Sequence, residues 1–219
     1  RAGDVIPQIV EVLTKMRTGR ERKFDMPEKC PVCGQAAEKQ IIAQGGQKGA
    51  ATICVNRKCP AKNLRSIGHL VNAFEIYEIG PKIIERFKDE GLISDGADIF
   101  SLKKEDIELL ERFGEKSADN IIKSINDHRK ISLAKFIYSL GILHVGEQTA
   151  IDLAEHFGGI DSLKKASFEE FDGIPNIGVA VAKSIHQFFQ DKHNLGFIEK
   201  LLKNGVQISN LQSLISKKG

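Results

Sequence analysis

From about position 64 onwards the apolar residues of this 219-residue chain recur with a helical period. Ala118, Ile121, Ile122 and Ile125 fall at i, i+3, i+4 and i+7, and Ala150, Leu153, Ala154 and Phe157 repeat that spacing. Each stripe follows a step from an apolar residue to glycine: Ile79-Gly80, Phe113-Gly114, Val145-Gly146 and Ile177-Gly178. The glycines are separated by 34, 32 and 32 positions, a period that identifies a structural repeat. Four units are predicted, each a short helix, a glycine turn and an amphipathic helix. Leu102-Lys103-Lys104 is echoed by Leu163-Lys164-Lys165, which groups the four units into two pairs. Ser167 followed by Glu170 is a capping-box signature for the helix that enters the fourth unit.

The beginning of the chain is patterned differently. Asp4 to Val12 alternates in part and is rich in β-branched residues, which predicts a strand with Pro7 at an edge or bulge. No partner strand follows nearby, so this segment reads as the end of a sheet domain. Residues 14–27 form a basic connector containing Arg17, Arg20, Arg22 and Lys23, and residues 209–219 form a polar tail of linker character. The fold class expected is mainly α: a tandem of four helix hairpins over 64–208, preceded by a small cysteine module at 28–62.

Composition changes the picture only at a few points. Hydrophobic residues at 41% and charged residues at 28% suit a globular protein, and the net charge of +3 is a mild hint of an anionic partner. No apolar run is long enough to span a bilayer and no signal peptide opens the chain, so a cytoplasmic protein without a membrane partner is expected. With no Trp and two Tyr, few ring platforms exist for stacking single-stranded bases.

All four cysteines lie between positions 30 and 59, a clustering that points to metal and away from a disulfide framework. Cys30-Pro31-Val32-Cys33-Gly34 has the form of a zinc knuckle, and Cys54 and Cys59-Pro60 supply a second close pair. Four thiolates leave no open coordination position, so one structural zinc per chain is expected, held by Cys30, Cys33, Cys54 and Cys59. A rubredoxin-like iron site and a reactive dithiol are the alternatives. Lys29, Arg57 and Lys58 either temper the charge of such a centre or are ordinary solvated cations.

A glycine turn between two helices is suited to gripping phosphate. Glycine admits a positive φ where the chain reverses, and it removes the side chain that would hold a phosphate away. The next helix offers free N–H groups and the positive end of its dipole. Lys82 and Lys116, two residues after Gly80 and Gly114, add point charges. The second hairpin is the strongest candidate, with Arg112, Gly114, Lys116 and Ser117 on one turn; the third offers Gly146 and Thr149, and the fourth Gly178. Contacts of this kind address phosphate and carry no base information. For His144 and His156 an ordinary polar role is the simpler reading. No catalytic motif is evident, and no Lys-x-Asp-Gly tetrapeptide occurs.

The order of these features resembles bacterial NAD-dependent DNA ligase: Arg1-Ala2-Gly3-Asp4-Val5-Ile6-Pro7, a basic linker, the two cysteine pairs, then four hairpins including Leu140-Gly141-Ile142-Leu143-His144-Val145-Gly146-Glu147. By this resemblance residues 1–13 are the terminal strand of an OB-fold, the cysteines bind structural zinc, and the hairpins hold nicked duplex DNA for an enzyme of replication and repair. The resemblance implies a monomer acting on the bacterial nucleoid. NAD and Mg would serve only through adenylation and OB-fold domains outside this stretch, which by itself would not be adenylated. Leu143 stands where the family often has Arg, and Glu78 where it usually has Gly. The competing reading is a non-enzymatic accessory protein built from the same zinc and hairpin modules.

Overall fold

A computed structural model describes residues 8–41, 48–56 and 58–209, and the chain divides into two compact units, residues 1–57 and 58–219. In the first unit, residues 8–13 have no regular structure and run into a 3-10 turn at Thr14–Met16. The strand expected over 4–12 is therefore not formed in its described part, 8–12; residues 1–7 lie outside the described residues. The reason is elementary: an extended segment is a strand only when a neighbour accepts and donates along its ladder, and among the described residues none pairs with it. Val10 is 92% exposed.

Strands β1 (Ala37–Ile41) and β2 (Lys48–Cys54) pair antiparallel, with Ala37 opposite Cys54 and an irregularity between Lys39 and Ile41. This hairpin is absent from the expectations above. Gly45-Gly46, set between Ile41-Ile42 and Thr52-Ile53, is the sequence signal that marks such a connection.

The second unit is helical. Its hairpins are α1 (Pro60–Ala73) with α2 (Pro81–Asp89), α3 (Lys104–Glu108) with α4 (Glu115–Asp127), α5 (Leu133–Ser139) with α6 (Glu147–Phe157), and α8 (Phe168–Asp172) with α9 (Val179–Gln190). A 3-10 helix, Gly96–Ser101, links the first two, and α7 (Ile160–Lys165) links the last two, so the Leu-Lys-Lys echo marks equivalent connectors. The pairs meet where α1 packs on α5. The expected stripes face the core: Ala118, Ile121 and Ile125 are buried on α4, Ala150, Leu153 and Ala154 on α6. Ser167 and Glu170 form the expected capping box, each side chain accepting from the other's backbone N–H.

Two features extend the unit beyond four hairpins. Helix α10 (Lys192–Lys203) packs on α9 and on the 3-10 helix, and β4 (Gln207–Ser209) pairs parallel with β3 (Lys130–Ser132). Ser209 thus closes a strand and does not begin the tail; residues 210–219 lie outside the described residues. Helix α1 likewise starts at Pro60, earlier than the expected limit of the cysteine module, because Pro suits the first helical position.

Asp98 anchors the end of α10. Its carboxylate meets Lys200 at 2.8 Å and accepts from the Ser94 hydroxyl at 2.6 Å and from the backbone N–H of Ser94 and Asp95. Burial alone would raise its pKa; the Lys200 and Ser94 contacts outweigh that and hold it down at about 2. A carboxyl depressed on folding contributes stability that is complete above its unfolded pKa, near 4, and is lost as pH falls towards 2. The stability lost between pH 4 and 2 is therefore expected to be smaller by on the order of 1 kcal/mol in Asp98→Asn, after allowance for solvent screening. Parallel acid titrations followed by circular dichroism test this; superimposable acid limbs contradict it.

Candidate metal centre and hairpin tips

The four cysteines converge. Their Sγ atoms all lie within 4.8 Å of one another, and Cys33 and Cys54 are 3.5 Å apart, well beyond the roughly 2.05 Å of a disulfide. A tetrahedral ion with bonds of about 2.3 Å would space its sulfurs about 3.8 Å apart, so the set could hold a metal ion. Local sequence explains the convergence. Gly34 turns at φ +70 and donates to the Cys30 carbonyl at 2.9 Å, which folds the knuckle back so that Cys30 N–H reaches the Gln35 carbonyl. The β-ladder carries Cys54 to the knuckle, and Cys59 is the N-cap of α1. Cys30 and Cys59 are buried, Cys33 and Cys54 half-buried. Backbone N–H groups of Cys33 and Val32 hold the Cys30 thiol below its ordinary pKa, while burial pushes that of Cys54 up to about 11. A bound cation would hold both sulfurs as thiolates.

The four hairpin tips share one construction. Each turn has two buried ends, Ile76 and Ile79, Ile142 and Val145, or Ile174 and Ile177; in the second, Leu110 is buried and Phe113 half-buried. The two residues between them are exposed in every case: Tyr77-Glu78, Glu111-Arg112, Leu143-His144 and Pro175-Asn176. The fourth residue donates its N–H to the carbonyl of the first. The apolar ends pin the turn to the core and push its middle into solvent.

The role of the glycines differs from the expectation. Gly80, Gly114, Gly146 and Gly178 are N-caps with φ between −80 and −107, an extended conformation open to any residue. The positive φ lies two residues earlier, at Arg112 (71°), His144 (67°) and Asn176 (68°). In the first hairpin Glu78 escapes it and Glu75 carries a φ of 60° instead. Nor does packing demand glycine, because a Cβ at any of the four would meet nothing within 4 Å. None of the four helices has a side-chain cap, although Ser or Asp would fit and would stabilise the helix end. Four helix starts thus stand without a side-chain cap, for no reason internal to the fold.

The expected cations flank these openings. Lys82, Lys116 and Ser117 are exposed in the first turns of α2 and α4, Thr149 is half-buried in α6, and Arg112 projects from its turn with its side chain 90% exposed, 3.9 Å from Glu111. Lys104 was not singled out from the sequence, yet it sits among Asp119 at 2.8 Å and Glu115 and Glu108 at 3.3 Å. Hydrogen bonds to Asp119 and the other acids outweigh burial and raise its pKa above the ordinary lysine range. Of the histidines, His156 packs edge-on against Phe157, and His69 bonds the Tyr138 carbonyl at 2.7 Å. No helix among the described residues is long and apolar enough to cross a membrane.

A family model described as a SAM-like helix-hairpin-helix tandem matches residues 75–127, and one described as a helix-hairpin-helix motif matches residues 135–198. The first match covers α2 to α4 and begins after α1, and the second runs from within α5 past α9. The chain is 42% identical over 211 residues to a DNA ligase of Desulfitobacterium hafniense (strain Y51), which covers 95% of this chain and 31% of that protein. Its homologues are DNA ligases. Those of Thermoanaerobacter sp. (strain X514) and Pseudomonas fluorescens (strain Pf0-1) are 40% and 42% identical, each covering 96% of this chain. This chain spans less than a third of the length of the ligases it matches. The match runs through the cysteine module as well as the hairpins, so the two units are homologous to one continuous stretch of a ligase.

Proposed function

We propose that this chain is the backbone-gripping part of an NAD-dependent DNA ligase, holding nicked duplex for a catalytic site on other domains. The observation that carries the reading is the set of four bare N-cap glycines, each above an uncapped helix end and each free of any conformational or packing requirement. An anion approaching from outside explains them: a side chain there would block a phosphate from the first N–H groups and the positive end of the helix dipole. Gly80 with Lys82, Gly114 with Arg112, Lys116 and Ser117, Gly146 with Thr149, and Gly178 are the contacts proposed, the second hairpin foremost. Glu78 weakens the first and Leu143 leaves the third without a cation. Cys30, Cys33, Cys54 and Cys59 hold a structural zinc that fixes the knuckle and the hairpin β1–β2. The terminal segment 1–13 is assigned to the ligase OB-fold. NAD, Mg and the nucleophilic lysine belong to the parent enzyme; the chain works as a monomer in the bacterial cytoplasm.

The test is a salt titration of fluorescent duplexes of two unrelated sequences. Binding is expected to be weak, indifferent to sequence and steeply salt-dependent, with Lys116→Ala lowering the log–log slope by about one. Gly114→Asp separates function from fold. An N-cap Asp should raise stability by about 0.2–0.5 kcal/mol, a Tm increase of roughly 1 °C, while weakening binding about tenfold or more. A clear sequence preference, or a Gly114→Asp chain that binds as the parent does, overturns the reading.

A further inference from the structure

We infer that Lys104 is a positioning residue for the second hairpin, gathering the carboxylates around the start of α4 so that this helix end stays open to a phosphate. The inference rests on the backbone-gripping role proposed above. Lys104 Nζ reaches Glu108 on its own helix and Glu115 and Asp119 on α4, so one ammonium draws together acids from both arms of the hairpin. Its side chain is only 31% exposed, below the exposed tip where Arg112 and Lys116 project. It is therefore placed to act on the acids and not on a ligand.

The need for it follows from charge. Between Lys103 and Asp119 the second hairpin carries six acids, Glu105, Asp106, Glu108, Glu111, Glu115 and Asp119, against four cations, Lys103, Lys104, Arg112 and Lys116. The acids are in excess already, and removing Lys104 releases three of them beside the tip proposed to meet phosphate. Glu115 matters most, because it is the first residue of α4. A carboxylate released there is attracted to the same bare N–H groups and the same dipole that would receive a phosphate. The third hairpin shows the contrast: Glu147 holds the equivalent position and makes no ion pair among the described residues. The arrangement belongs to the hairpin whose tip carries both Arg112 and Lys116.

The experiment measures binding of the whole chain to a fluorescent 20-base-pair duplex across a salt series, with Lys104→Met, Glu115→Gln and the double variant. Lys104→Met is expected to weaken binding about five- to tenfold, by a similar factor at every salt concentration, because the released carboxylate competes at contact distance, inside the Debye length. Its log–log slope should stay within about 0.3 of the parent's, because Lys104 displaces no counterion from DNA. Adding Glu115→Gln should recover most of the loss, which a merely structural defect would not permit. Thermal melts of each variant keep folding apart from binding. Unchanged binding by Lys104→Met, a slope lower by about one, or no recovery in the double variant overturns the inference. If Lys116→Ala and Gly114→Asp also bind as the parent does, the grip itself is refuted; if they fail and Lys104→Met does not, only the positioning role falls.

Discussion

Stripping the four-cysteine site with a strong chelator is expected to unfold the β1–β2 module entirely while the helical unit keeps its own cooperative transition. Among the described residues, none of 30–59 belongs to the large apolar cluster that runs from Ile67 to Val206. A module of this size has too little apolar surface to fold without help, and structural zinc sites in small fingers contribute on the order of 10–16 kcal/mol of apparent binding energy. Metal analysis after dialysis should return close to one zinc per chain, and Cys54→Ser should reproduce the chelated state. Far-ultraviolet circular dichroism should retain nearly all of its helical signal in both cases. Iron in place of zinc, no metal at all, or a module still resistant to protease after chelation would each contradict the assignment.

Arg129→Ala is expected to destabilise the helical unit by about 2–3 kcal/mol, lowering Tm by roughly 5–10 °C. The guanidinium donates to the Phe100 carbonyl at 2.6 Å, to the Asn204 carbonyl, and to the Asn126 side chain at 2.8 Å, and it lies 5.9 Å from the centre of the Phe100 ring. One planar group thus joins the 3-10 connector of the first hairpin pair to the end of α10. Its removal strands the partly buried carbonyls of Phe100 and Asn204, the bond to Asn126 being exposed. Lysine offers one point charge where a fork is required, so Arg129→Lys should rescue little. A Tm within 2 °C of the parent in Arg129→Ala would show that water replaces these contacts.

How much of this was legible in the sequence depends on the range of the interaction. The hairpins were, because a 3.6-residue stripe and a recurring glycine are local and repeat four times. The cysteine site was, because metal spacing is written in adjacent residues. What glycine does in the turn was misread: the turn needs a positive φ, but Arg112, His144 and Asn176 bear it, and Gly114, Gly146 and Gly178 stand at the open helix ends. That distinction depends on what surrounds a Cβ, which no pattern of residue types conveys. The pairing of β3 with β4 could not be seen either, since Lys130-Ile131-Ser132 and Gln207-Ile208-Ser209 are too short to show a period. Lys104 is visible in sequence only as part of the Leu-Lys-Lys echo, because its three partners are assembled by the turn.

That pairing of β3 with β4 also imposes an order of events during synthesis. Ser132 waits for a partner some 75 residues downstream, and Arg129 waits for the carbonyl of Asn204. At about 5–20 residues per second, a ribosome needs roughly 4–15 s to deliver them. Within that interval the first two hairpins have every local contact they require, but the edge of β3 lies bare. The nascent chain therefore passes through a half-built stage, and only the arrival of α10 and β4 closes it.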